Sequence, residues 1–233
     1  MSGTLYGVGL GPGAPDLMTL RAARLIEAAK VVAYPTLAGG ESFARAIAAD
    51  LISDDVREIV MDVPMTVERA PAQEAYDTGA AAIAAALDAG EDVVCLCEGD
   101  PFFYGSFMYL FARLSGKYQV EVVPGVTSVT ACAARAGMPL AARNERLTVL
   151  PGPLPEDELR ARIEGAESVV IMKVGRHMAK IRAVIDGLGL TDNAVYVERA
   201  TLPQEVVSPL ADAPEKAPYF SMILLTKGAD PWL

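Results

Sequence analysis

The chain has 233 residues, of which 52% are hydrophobic and 21% charged, with a formal net charge of −10 and a pI near 4.7. That length and apolar content can bury a sizeable core as one large or two smaller domains, and the acidic balance argues against nucleic acid as a partner. No apolar run reaches the length of a membrane span and no charged leader precedes an apolar stretch, so neither a span nor a signal peptide is predicted.

The first predicted element is the strand TLYGVGL (4–10). It runs into a loop with Gly7, Gly9, Gly11 and Gly13 at alternate positions and with Pro12 and Pro15 among them. A dinucleotide fingerprint would start a helix here and place an acidic residue about twenty positions on. The prolines break that turn, and the next strand, KVVAYP (30–35), ends in Tyr34 and Pro35 instead. No Gly-Lys-Ser/Thr follows, which excludes a P-loop. A helix is predicted over 19–29, capped by Asp16 or Thr19, with an apolar stripe of Leu20, Ala23, Leu25, Ile26 and Ala28.

Strands and helices then alternate: helix 41–52, strand VREIVM, alanine-rich helix 72–89, strand EDVVCLCEG (91–99), helix 106–114 and strand YQVEVVPG (118–125). Helix 127–136, strand RLTVLPG, helix 155–164, strand ESVVIMK, helix 176–188 and strand NAVYVERA follow. EVVSPL and YFSMILLTKG are predicted as two last strands forming an antiparallel pair. This alternation predicts an α/β protein with parallel sheets covered by helices on both faces. The polar stretch RLSGKYQ (113–119) is the expected boundary, giving units 1–116 and 117–233.

Cys95 and Cys97 lie two apart in an apolar strand and are expected to share one buried face. With Cys132 they show no metal-like spacing, and His177 is the only histidine, so no metal site is predicted. Cysteine usage predicts a reducing, cytoplasmic setting.

Several strands end in a tight turn that leads to a helix. Glu98-Gly99-Asp100-Pro101 follows one, and Pro124-Gly125 with Thr127 and Ser128 follows another. Glycine admits a close backbone approach, and hydroxyls at a helix start offer hydrogen bonds. Met172 ends a third strand, where core packing is the ordinary role, and Glu198-Arg199-Ala200 ends a fourth, where a surface ion pair is the ordinary reading.

In this order the motifs resemble the tetrapyrrole methyltransferases, which use S-adenosylmethionine, and GLGPGAPDLMTL (9–20) is similar to the family's first signature. The likeness spans essentially the whole chain. VVAYP, DVPMTVER (62–69) and YFSMILLTKG resemble the branch that methylates C20 of precorrin-2. A cobalt-loaded substrate, or methylation at C11 or C17, is the alternative inside the family; a non-catalytic nucleotide-binding module or a dehydrogenase is the alternative outside it. The resemblance implies two αβα domains with the cofactor in the cleft between them, commonly in a homodimer. It implies that Pro12, Glu98, Gly99, Asp100, Phe103, Tyr104, Thr127, Ser128, Met172 and Ala200 bind the cofactor. Many relatives carry a candidate proton acceptor where Pro35 stands, so no catalytic base is assigned. The segments left to face the tetrapyrrole suggest Arg21, Met65, Thr66 and Arg69 as its contacts, with Arg143, Arg146, Arg176 and Lys180 as further cations near loop and helix starts.

Overall fold

A computed structural model describes residues 1–37, 40–64 and 70–228. The chain divides into two compact units, Met1–Thr127 and Ser128–Leu233.

The first unit is built on the five-stranded sheet β3-β2-β4-β1-β5, comprising β1 (Thr4–Gly9), β2 (Val31–Leu37), β3 (Arg57–Val63), β4 (Val93–Cys97) and β5 (Gln119–Val123). All its pairings are parallel, which requires helical crossovers and buries both faces. On one face Val8, Val32, Tyr34 and Leu96 pack with Ala22 and Ile26 of α1 (Leu20–Glu27) and Ala44 and Ile47 of α2 (Phe43–Ile47). On the other, Leu5, Ala33, Cys95 and Cys97 pack with Tyr76 and Ile83 of α3 (Ala70–Asp88) and Phe107 and Leu110 of α4 (Phe107–Leu114).

The predicted domain boundary falls elsewhere in the structure. The turn at 113–119 is present, but β5 beyond it pairs with β1, so the first unit continues to Thr127 rather than ending at 116. Leu20 also departs from expectation. Thr19 caps α1 by accepting the Ala22 N–H at 3.1 Å, and the stripe that turns inward is Ala22 and Ile26, leaving Leu20 75% exposed.

The second unit holds the sheet β6-β7-β10-β8-β9, with β6 (Leu147–Pro151), β7 (Ser168–Met172), β8 (Ala194–Glu198), β9 (Val206–Pro209) and β10 (Ser221–Thr226). Val169, Ile171, Tyr196 and Ile223 face α6 (Glu156–Glu164) and α7 (Met178–Gly187) in one core. The opposite face is covered by α5 (Ser128–Ala136), which touches β8, β9 and β10. The last two strands do not pair with each other as predicted. β9 pairs antiparallel with β8 at the edge, and β10 inserts antiparallel between β7 and β8. A strand with a continuous apolar run such as Met222–Leu225 belongs in the middle of a sheet covered on both sides, and those four residues are buried accordingly.

All three cysteines are free and buried. Burial pushes the Cys97 thiol up to about 11 and the Cys132 thiol up to about 12, and holds Cys95 well above the ordinary thiol range. No thiolate is therefore available near neutral pH. Ellman's reagent at pH 8 is expected to titrate no thiol in the folded protein and all three after denaturation; rapid native-state labelling would contradict this burial.

Candidate functional site

In the first unit the ends of β1, β4 and β5 meet at a backbone junction. Leu10 N donates to Cys97 O at 2.9 Å, and Gly11 and Gly99 exchange hydrogen bonds at 3.2 and 2.7 Å. Asp100 stitches the third loop on: one carboxylate oxygen accepts the Phe102 N–H at 2.9 Å, and the other accepts the Gly125 N–H at 3.0 Å. The three chains come so close that only glycine fits at two positions. A Cβ on Gly9 would lie 2.6 Å from Gly125 N, and one on Gly125 would lie 2.0 Å from Gly99 O. Gly99 is different. Its φ is +64°, and a Cβ there would meet nothing within 4 Å. Its backbone therefore lines open space, as a ligand cradle requires.

The other expected residues of this unit surround that junction in sequence. Pro12 is half-buried just after the Gly11–Gly99 bridge, and Phe103 and Tyr104 stack edge to face at 5.4 Å, with Tyr104 at φ +58°. Thr127 is half-buried at the end of the loop that carries Gly125. Glu98 is half-buried, and burial holds its carboxyl above the ordinary carboxylate range, against the backbone N–H groups of Glu98 and Ala44. Pro35 lies on β2, where its carbonyl accepts the Ser42 hydroxyl at 2.7 Å.

In the second unit, Ser128 opens α5, Met172 ends β7, and Ala200 follows β8. These strand ends are conformationally unusual. Lys173, Arg199 and Thr201 all have positive φ, at +58°, +48° and +70°. Such angles cost free energy in non-glycine residues, most of all in a β-branched one, and persist only where surrounding bonds fix them. Here Glu205 accepts the Thr201 N–H at 2.6 Å and is itself gripped by Arg135 of α5 at 2.8 Å. The Arg135 guanidinium holds the Glu205 carboxyl below its ordinary range. This clamp on the Ala200 corner is not visible in the sequence, because its partners lie 70 residues apart and neither carries a motif. Glu198 does pair with Arg199, at 3.2 Å, but the pair is not simply superficial: the Glu198 side chain is 13% exposed and also accepts the Tyr196 hydroxyl at 2.8 Å.

Several candidate substrate cations are already engaged. Arg21 pairs with Glu121 of β5, Arg146 with Glu167 at 2.6 Å, and Lys180 with the Leu154 carbonyl. Arg176 is exposed beside His177, and Arg143 is exposed at φ +45°. Met65, Thr66 and Arg69 lie outside the described residues.

Comparison with known proteins matches residues 4–214 to the family model of Tetrapyrrole (Corrin/Porphyrin) Methylases. A precorrin-2 C(20)-methyltransferase from a Sinorhizobium species is 42% identical over 232 residues, covering 96% of this chain and 95% of its own length. A cobalt-precorrin-2 C(20)-methyltransferase from Salmonella typhimurium is 36% identical, covering 97% of this chain and 98% of its own length. Among solved structures, a uroporphyrin-III C-methyl transferase from Thermus thermophilus complexed with S-adenyl homocysteine matches with a TM-score of 0.69 at 26% identity, covering 97% of this chain and 92% of that one.

Proposed function

We propose that this chain, which belongs to the tetrapyrrole (corrin/porphyrin) methylases, transfers a methyl group from S-adenosylmethionine to C20 of precorrin-2. The products are precorrin-3A and S-adenosylhomocysteine, in cobalamin biosynthesis. The observation that carries this reading is the end-to-end likeness, at 42% identity, to a precorrin-2 C(20)-methyltransferase. The structure of a family member complexed with S-adenyl homocysteine supports the cofactor, and the open backbone at Gly99 fits it.

When bound, S-adenosylmethionine supplies a methyl group on a positively charged sulfur, and the enamine-like C20 supplies the nucleophile. One C–C bond forms, one S–C bond breaks, and C20 gives up a proton to water or to a substrate carboxylate. The chain's part is to align the two partners and keep water out. Such work suits glycine turns, hydroxyls and backbone groups, and needs no thiolate or imidazole.

In this reading Pro12 borders the cofactor, and Glu98, Gly99, Asp100, Phe103 and Tyr104 line its amino-acid end. Thr127 and Ser128 contribute hydroxyls and backbone N–H groups, Met172 packs on the cofactor, and Ala200 lets the adenine lie against backbone. Arg21, Met65, Thr66 and Arg69 serve the tetrapyrrole, which requires Arg21 to exchange Glu121 for a substrate carboxylate. The enzyme is proposed to be a cytoplasmic homodimer; its buried free thiols suit a reducing compartment.

Calorimetry with S-adenosylhomocysteine and with NADH tests the class. Binding of the first and none of the second is expected; the reverse would make the chain a dehydrogenase. The Salmonella relative favours a second reading, a cobalt-loaded substrate. Turnover with metal-free precorrin-2 well above that with its cobalt complex supports the first reading, and the opposite order supports the second.

A further inference from the structure

The segment YFSMILLTKG also contains an aromatic pair to which no role has yet been given. Tyr219 and Phe220 precede β10 with their rings 5.0 Å apart and at 78° to each other, and they are 61% and 41% exposed. Because β10 runs antiparallel between β7 and β8, its first residues sit beside the last residues of both. Met222 is in register with Met172 on one side and Val197 on the other, and Arg199 N donates to Phe220 O at 2.9 Å. Phe220 itself lies in the bend that precedes β10, where Ser221 N donates to Tyr219 O at 3.0 Å. Phe220 therefore stands between the strand ends that carry Met172 and Ala200.

We propose that Phe220, backed by Tyr219, is the aromatic wall on which the adenine ring of the cofactor stacks, between Met172 and Ala200. The proposal rests on the cofactor reading above and adds a specificity residue to it. Large aromatic side chains are normally turned inward, whereas here two are exposed together on a corner whose backbone is held at three positive φ angles. Outliers of this kind concentrate at ligand clamps. A flat purine gains both burial and stacking on such a ring. Glu198, largely buried there and paired with Arg199 at 3.2 Å, offers an acceptor to ribose hydroxyls.

The test is calorimetry of the full chain with S-adenosylhomocysteine and with methylthioadenosine, which keeps the adenosine and lacks the amino-acid end. Phe220→Ala is expected to weaken both by about ten-fold or more, by a similar factor, while Phe220→Tyr stays near wild type. Phe220→Leu, which retains apolar bulk without the ring, is expected to fall between and serves if the alanine variant does not fold. Unchanged affinity in Phe220→Ala or Phe220→Leu, with the wild type binding normally, overturns the aromatic wall alone. Failure of the wild type to bind either ligand overturns the cofactor reading beneath it.

Discussion

Gly125→Ala is expected to destabilise the first unit strongly by forcing its strand ends apart. The added Cβ would sit 2.0 Å from Gly99 O, 2.9 Å from Gly9 Cα and 3.0 Å from Gly9 C. All of these are backbone atoms, so no rotamer change relieves the clash, and the ends of β1, β4 and β5 must move apart. Overpacking of this kind costs about 1–3 kcal/mol. The same displacement stretches the Asp100–Gly125 hydrogen bond of 3.0 Å, a charge-assisted bond of the kind worth about 1.5–3 kcal/mol. Together these predict a loss of roughly 3 kcal/mol or more, hence a fall in melting temperature of about 6–12 °C for a chain of this size. Gly116→Ala is the control, since its Cβ would meet nothing within 4 Å and its φ is not in the left-handed region. Melting of Gly125→Ala at the wild-type temperature would show that the three strand ends are not locked together as described.

Gly99→Val is expected to do the reverse: leave the protein folded and abolish cofactor binding. Nothing lies within 4 Å of the added Cβ, so no packing is lost. The cost is the left-handed φ of +64°, which for an ordinary L residue is about 1–2 kcal/mol and somewhat more for a branched one. The isopropyl group then projects into the space that the proposed cofactor occupies. Calorimetry of the folded variant should give no heat with S-adenosylhomocysteine, whereas Gly99→Ala should bind weakly. Wild-type affinity in folded Gly99→Val would remove this turn from the cofactor site. The two glycines thus separate a residue needed for the fold from one proposed for the ligand.

That separation is also where sequence reading stops. Glycine at 9, 99 and 125 is plain in the sequence, and so is its place after apolar strands. Which glycine touches backbone and which faces open space depends on three strands far apart in the chain, and no local pattern carries that. The alternation of strands and helices was legible because period and propensity are local properties. The place of β10 was not, since an apolar run suggests a central strand but does not say that its partners are β7 and β8, a long-range choice. The turn at 113–119 looked like a linker for a local reason, its polarity and glycine, yet β5 beyond it completes the first sheet. Leu20 fitted a helical stripe by spacing, but the cap at Thr19 sets the phase of α1 so that Ala22 and Ile26 face inward. Arg146 was visible as a cation near a loop or helix start, but its commitment to Glu167 was not. At the Ala200 corner the strained backbone and its Arg135–Glu205 clamp were likewise hidden, because threonine gives no sign that its φ will be positive.

The most direct test of the central claim is a single-turnover reaction of the purified protein with precorrin-2 and S-adenosylmethionine labelled with carbon-13 in its methyl group, followed by NMR of the tetrapyrrole product. The account predicts one new labelled methyl group, attached to C20, with one equivalent of S-adenosylhomocysteine formed. Label at C11, C17 or any other position, or no transfer from a cofactor that is demonstrably bound, would contradict it.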